Sequence, residues 1–271
     1  MKHQTTPSRR CCSRLAPALK QTCTLFSVAA LAALTALPNP AQASERRYSY
    51  IYGTTTLPKG AWEYEQWFTW SGYDTKDRFD FRHEIEYGVT DRFLLAFYIA
   101  DWRYEHMDSG VNAVDYRSTS LEMIYNLTDP YNSPFGSALY GEISLGDEKF
   151  ALESKLLLEK NFGPLNIAYN FKLEAEWEGA ALGNLDENKG EFGNYLGASY
   201  QFNPGFLAGL ELVHEWESED WDIRSDDELF LGPNISWRNG GFYLTATALW
   251  DVLNTKGAPH SQVRLLAGFE F

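Results

Sequence analysis

The sequence predicts an all-β fold, a transmembrane antiparallel up-and-down β-barrel of about twelve strands. The first observation behind this is the stretch Leu165–Trp177. Leu165, Ile167, Tyr169, Phe171, Leu173, Ala175 and Trp177 fall on one face of an extended strand, and Asn166, Ala168, Asn170, Lys172, Glu174 and Glu176 fall on the other. Such a run outlasts the roughly 5–6 residues of an ordinary globular strand and covers the roughly 9–11 that a tilted strand needs to cross a bilayer. The second observation is that the rest of the chain repeats this alternation in segments separated by turn residues. Short turns and longer loops take turns along it, as expected when two rims face different compartments.

The first 43 residues read as an export signal. Lys2, Arg9, Arg10, Arg14 and Lys20 form a basic start, Leu25 to Leu37 an apolar run, and Ala41-Gln42-Ala43 a small-x-small cleavage pattern. Cys11, Cys12 and Cys23 all lie inside it, so the mature chain can form no disulfide and no thiolate metal site. Residues 44–60 are polar and turn-rich and are read as a periplasmic segment, and residues 61–271 as the barrel.

The barrel strands follow in order. Trp62, Tyr64, Phe68 and Trp70 face outward opposite Glu63, Glu65 and Thr69, with Trp67 as an inward exception. After a loop at 71–76, Phe79, Phe81, Ile85 and Tyr87 oppose Asp80, Arg82, Glu84 and Glu86. Phe93, Leu95, Phe97 and Ile99 form the third strand, a loop is expected near 104–113, and Leu121, Met123 and Tyr125 mark the fourth. Leu139, Ile143 and Leu145 match Leu152, Leu156 and Leu158 as a hairpin, and Asn161-Phe162-Gly163-Pro164 turns into Leu165–Trp177. A polar loop is expected at 178–190, then a glycine-rich strand ending at Asn203-Pro204-Gly205. Phe206 to Trp216 forms the ninth strand, 217–227 an acidic loop, and Leu229 to Trp237 a strand interrupted by Pro233. Asn239-Gly240-Gly241 is a hairpin turn into Phe242–Trp250. Trp62, Trp70, Trp216 and Trp250 stand where aromatic girdles at two interfaces belong.

The formal charge is -14, and removing the signal leaves 18 basic residues against 37 acids, about -19. That balance argues against a nucleic-acid partner. The inward face carries Glu63, Glu65, Glu84, Glu86, Glu174, Glu176 and Glu211, with Arg82 and Lys172 among them. These are the expected lumen and selectivity residues of a narrow, cation-favouring channel for small cationic or neutral solutes. The alternatives are a plugged structural barrel and an outer-membrane lipid hydrolase. His83 and His214 have no serine two positions away on the same face, so the chain is read as non-enzymatic. The acids between Glu217 and Asp227 do not match an EF-hand spacing and are read as a solvated loop. No nucleotide fingerprint or zinc spacing is present, so no cofactor or metal is expected.

The closing residues Val263, Leu265, Ala267, Phe269 and Phe271, alternating with Arg264, Leu266, Gly268 and Glu270, resemble the final strand of Gram-negative outer-membrane barrels. In that superfamily such a strand, ending in Phe, is the signal read by the barrel assembly machinery. The resemblance therefore implies the bacterial outer membrane, with its lipids and that machinery as partners, and gives Phe269 and Phe271 the role of an assembly signal. The segment Gly53-Thr54-Thr55-Thr56-Leu57-Pro58-Lys59-Gly60-Ala61-Trp62-Glu63 resembles the opening of predicted barrels of unknown function, related in style to outer-membrane proteins of phenol-degradation pathways. These families bring no catalytic residues. Processing after Ala43 is expected, and intact mass of the membrane form should lack Cys11 and Cys23; a mass that retains them refutes it.

Overall fold

The computed structural model describes residues 46–271, and the expected signal lies outside the described residues. The strands are β1 Trp62–Gly72, β2 Lys76–Thr90, β3 Phe93–Met107, β4 Asn112–Thr128, β5 Gly136–Leu145 and β6 Lys149–Phe162. They continue with β7 Leu165–Ala181, β8 Asn184–Asn203, β9 Phe206–Glu219, β10 Ile223–Arg224, β11 Glu228–Asn239, β12 Phe242–Asp251 and β13 Ser261–Glu270. Each long strand pairs antiparallel with its sequence neighbours, and β13 returns to β1, closing a twelve-stranded barrel. The two-residue β10 folds back only onto the end of β9.

Closure places the termini of the barrel together. Phe271 N–H donates to the Trp62 carbonyl at 2.9 Å, so the last residue completes the seam. This end is the terminal rim, and the opposite end is the far rim. Alternation then sorts the two faces as the sequence predicts. In β7, Asn166, Ala168, Asn170, Lys172, Glu174 and Glu176 are buried, while the residues between them point outward. The outer face is apolar, with Phe97, Leu139, Leu152, Phe171, Leu210 and Ile235 among its exposed side chains. Aromatic pairs gather at both ends of this face. Trp62 packs on Tyr87 and Phe93 on Tyr125 near the terminal rim, and Phe150 stacks on Trp177 and Phe192 on Trp216 nearer the far rim.

Two expected far-rim loops are largely strand instead, and a third is so in part. β3 and β4 continue through 104–113 apart from a short turn, β7 and β8 run through most of 178–190, and β9 extends to Glu219. Beyond the apolar belt both faces of a strand meet water, so the hydrophobic alternation that marks a strand vanishes while the backbone ladder goes on pairing.

Pro233 sits inside β11 without breaking it. The ladder to β9 runs on through Gly232 and Pro233, whereas the ladder to β12 passes from Leu231↔Trp250 directly to Asn234↔Thr247. The missing proline N–H thus falls where no pairing is made. At Gly232 the β12 backbone comes so close that a Cβ would stand 1.8 Å from the Ala248 carbonyl oxygen. Gly232→Val should therefore cost about 1–3 kcal/mol through overpacking. Gly141→Ala, whose Cβ would meet nothing nearer than 3.9 Å, should be tolerated. Thermal loss of heat-modifiable gel migration in detergent measures both, and equal midpoints for the two variants would contradict the close approach.

Candidate functional site

The segment expected in the periplasm lies inside the barrel over its first part. Tyr48, Ile51, Tyr52, Thr54 and Leu57 are almost completely buried, and their partners show the path. Arg46 sits three residues in from the terminal rim, where its carbonyl accepts hydrogen bonds from Ser236 and Thr245, both at 2.9 Å. The backbone rises to Ser49 and Tyr50, whose N–H groups donate to the two oxygens of Glu211 at 2.9 and 2.8 Å. The Tyr50 hydroxyl reaches Gln262 near the far-rim end of β13 at 2.9 Å. The chain then descends. Tyr52 exchanges two bonds with the Asn170 amide, 2.7 and 2.9 Å, and Thr54 N–H donates to Glu159 at 2.8 Å while its carbonyl accepts from Asn126 at 2.5 Å. Lys59 and Gly60 return it to the terminal rim through Asp91 and the Gly88 carbonyl.

The periplasmic reading fails here because polar, turn-rich composition describes a segment without regular structure, wherever that segment lies. An irregular backbone can lie inside a barrel when lumen side chains complete its hydrogen bonds, and Glu211, Asn170, Glu159 and Asn126 do so. Apolar contacts hold it as well. Tyr52 and Leu57 join inward-facing Trp67, Leu94, Ile124 and Tyr140 in one buried cluster, and Tyr48 and Ile51 join Tyr195, Val213 and Phe230 in a second. Gly197 gives Tyr48 its place, since a Cβ there would stand 2.5 Å from the Tyr48 ring.

The segment also changes the meaning of the expected selectivity residues. Glu63, Glu65 and Glu84 are fully buried and Glu86 is 3 % exposed, so they line no open passage in this arrangement. Arg46 lies among them, with Nε 2.8 Å from Glu65 Oε1 and Nη2 3.4 Å from Glu86. Its guanidinium also lies 4.5 Å from the centre of the Tyr52 ring. The Tyr243 hydroxyl bonds Glu63 at 2.7 Å and contacts Glu65, and Trp67 Nε1 donates to Glu65 at 2.8 Å. Glu174 and Glu176 form a second carboxylate group with Glu191, their oxygens within 4.8 Å of one another. Lys172, Lys149 and Lys189 reach into that group, with Lys172 2.8 Å from Glu174 and Lys189 3.0 Å from Glu176. Protein cations thus enter both groups, Arg46 beside Glu65 and Glu86 in the first and three lysines in the second.

Above Tyr50 and Tyr52 the lumen widens into a polar vestibule of about 380 Å3. Arg82 stands in its wall, 2.8 Å from Asp101 and 3.0 Å from Glu142. The lining carries eight arginines and lysines against six acids, including Arg78 and Lys149, which continue the inward parity of β2 and β6, and Arg103 and Arg117, which alternation alone does not bring inward. Two irregularities in the β3–β4 ladder explain part of this. A register shift between Tyr98 and Asp101 turns Asp101 toward the lumen, and a second makes Arg117 the extra residue between Ser118 and Tyr116. Phe269 and Phe271 stay on the outer face at the terminal rim, their rings stacked at 6.3 Å.

A family model covers residues 40–264. The chain belongs to the family of unknown function DUF6662. No curated protein matches it. Among solved structures it is similar to the translocator domain of the autotransporter NalP from Neisseria meningitidis, at 14 % identity and a TM-score of 0.49, covering 93 % of this chain and 98 % of that one. It is also similar to the KdgM porin in complex with disordered oligogalacturonate, at 13 % identity and a TM-score of 0.45, covering 78 % and 98 %. The toluene transporter TbuX of Ralstonia pickettii shares 9 % identity at a TM-score of 0.38, covering 79 % and 90 %.

Two signals in the sequence pointed to the interior segment. Trp67, Leu94, Ile124, Leu157 and Leu249 face inward although a water-filled lumen offers them nothing to pack on, and Asn166 and Asn170 face inward with uncharged amides. Arg46 should be the strongest single tie. Arg46→Gln leaves Glu65 and Glu86 buried without a counter-charge, at a cost of about 3 kcal/mol or more. Amide exchange across 46–57 should then accelerate by roughly a hundredfold while the strands keep their protection. Unchanged exchange would show that Arg46 does not anchor the segment.

Proposed function

We propose that this protein is a bacterial outer-membrane barrel that passes small polar solutes, with residues 46–57 acting as the stopper of its lumen. The observation that carries this reading is the pairing of an open, charged vestibule with a segment that fills the lumen beneath it, held largely by hydrogen bonds to lumen side chains. A barrel of purely structural purpose needs no polar chamber lined by fourteen charged groups. The apolar outer face and its two aromatic zones suit a bilayer, where a closed ladder leaves no backbone group unsatisfied in lipid. The exposed Phe271 fits a role as the signal for barrel assembly.

Cation preference belongs to the opened barrel in this reading. Once Arg46 leaves, Glu63, Glu65, Glu84 and Glu86 would line the lower lumen with one counter-charge fewer. Lipid hydrolysis is the weaker reading. His260 Nε2 faces Asp74 at 2.8 Å and His214 Nε2 faces Asp227 at 3.5 Å, and among the described residues no serine hydroxyl bonds a histidine. We therefore propose no catalytic role.

Planar-bilayer conductance tests the stopper directly. The full chain should conduct weakly, and deletion of residues 46–57 should give steady, cation-favouring conductance that falls in selectivity as salt rises from 0.1 M to 1 M and the Debye length drops from about 10 Å to about 3 Å. A folded deletion variant that stays closed would overturn the proposal. Removal of Phe271 should lower the folded outer-membrane population, and unchanged surface abundance would count against its role in assembly.

A further inference from the structure

The vestibule's cations are not equally neutralised. Lys155 has Glu153 at 2.5 Å, and Lys172 has Glu153, Glu174 and Glu191 within 3.4 Å. Arg82 lies between two acids. The other cations of β2, β3 and β4 are paired less fully than Arg82. Arg78 and Arg103 share one carboxylate, Asp80, at 3.0 and 2.7 Å. Asp115 stands across from Arg103 in the ladder and makes no ion pair with it. The Arg117 side chain has no hydrogen bond, ion pair or ring contact with any described residue, yet Arg117 lines the chamber.

Arg117 owes that position to the β-bulge. Ser118 and Ser120 are the regular inward residues of β4, so strict alternation would turn Arg117 outward toward lipid. The bulge between Asp101 and Trp102 inserts it as an extra residue and lets it reach the chamber. A charged side chain excluded from the apolar face and left without a protein partner inside a polar cavity is poised for a ligand. Guanidinium groups match carboxylates in a planar, two-bond geometry. The chamber's volume also lies in the roughly 300–1,000 Å3 range of small-molecule sites.

We propose that Arg117, with Arg103 and Arg78, forms a subsite in the vestibule for small organic carboxylates. This deepens the solute-passage reading, since it names the class of solute received above the stopper. The anion would settle against the β2–β4 wall, with its carboxylate on Arg117 and Arg103 and the remainder of the molecule in the chamber over Tyr50 and Tyr52. The sequence's net negative charge gives no hint of such a site, because it counts acids that the fold seals beneath the interior segment or pairs with lysine.

The test is calorimetric titration of the full chain, folded in a non-ionic detergent, with sodium citrate as probe and with ethanolamine hydrochloride and glycerol as controls. Citrate should bind saturably and the controls should not. Arg117→Gln should weaken citrate at least tenfold, Arg117→Lys by less, and Lys256→Gln, outside this chamber, not at all. A second measurement uses the unaltered protein: citrate should protect Arg117 and Arg103 from phenylglyoxal, read by peptide mass, and should leave exposed Arg224 reactive. Absence of saturable citrate binding, citrate binding by Arg117→Gln equal to that of the parent, or ethanolamine binding of equal strength would each overturn the subsite. Citrate binding without conductance from the deletion variant overturns the stopper and leaves the subsite standing. Conductance without citrate binding does the reverse.

Discussion

Trp62 and Phe271 exchange backbone hydrogen bonds across the seam between the first and last strands, and the rest of the structure depends on that closure. An open sheet of twelve long, outwardly apolar strands would expose two unpaired edges, each a template for aggregation. Closure removes both edges and fixes an inside. Once an inside exists, every inward side chain must find water, a partner or a packing surface within it. The placement of Arg46–Leu57 answers that demand on the terminal side, where bulky inward residues such as Trp67, Ile124, Leu157 and Tyr243 would otherwise border empty space.

The two halves of the lumen solve the demand differently. On the terminal side, the glutamates of β1 and β2 are kept by a guanidinium that arrives from the interior segment and by tyrosine and tryptophan donors. Breaking such a buried pair on one side costs several kcal/mol, so the segment and the glutamates specify one another. On the far side there is room for water, and the charges sort into a lysine-laced acidic region on β6–β8 and an arginine-rich wall on β2–β4. The contrast between a sealed lower lumen and a solvated upper one is what gives the molecule a chamber with a floor.

Much of the barrel was legible in the chain because alternation is a local signal with a period that only an extended strand produces. In Leu165–Trp177 every assignment of face agrees with the burial observed in β7. The signal failed beyond the apolar belt, where 104–113 and 178–190 keep their ladder without keeping their periodicity, since neither face there meets an apolar phase. It failed at the β3–β4 bulges for a different reason. A single inserted residue moves Asp101 and Arg117 relative to the faces that counting assigns, and nothing in their neighbours' identities announces the insertion.

The antiparallel barrel, its strand order and the inward placement of Glu63, Glu65, Glu84, Glu86, Lys172, Glu174, Glu176 and Glu211 follow from neighbours along the chain and from the two-residue period. What those residues do depends on partners that folding brings from distant parts of the chain. Glu211 caps two backbone amides of the interior segment, Glu65 and Glu86 hold Arg46, and Arg82 bridges Asp101 and Glu142, through partners from 19 to more than 160 positions away. Charge in a lumen acts through three-dimensional distance and burial, and neither is written in the count of acids and bases.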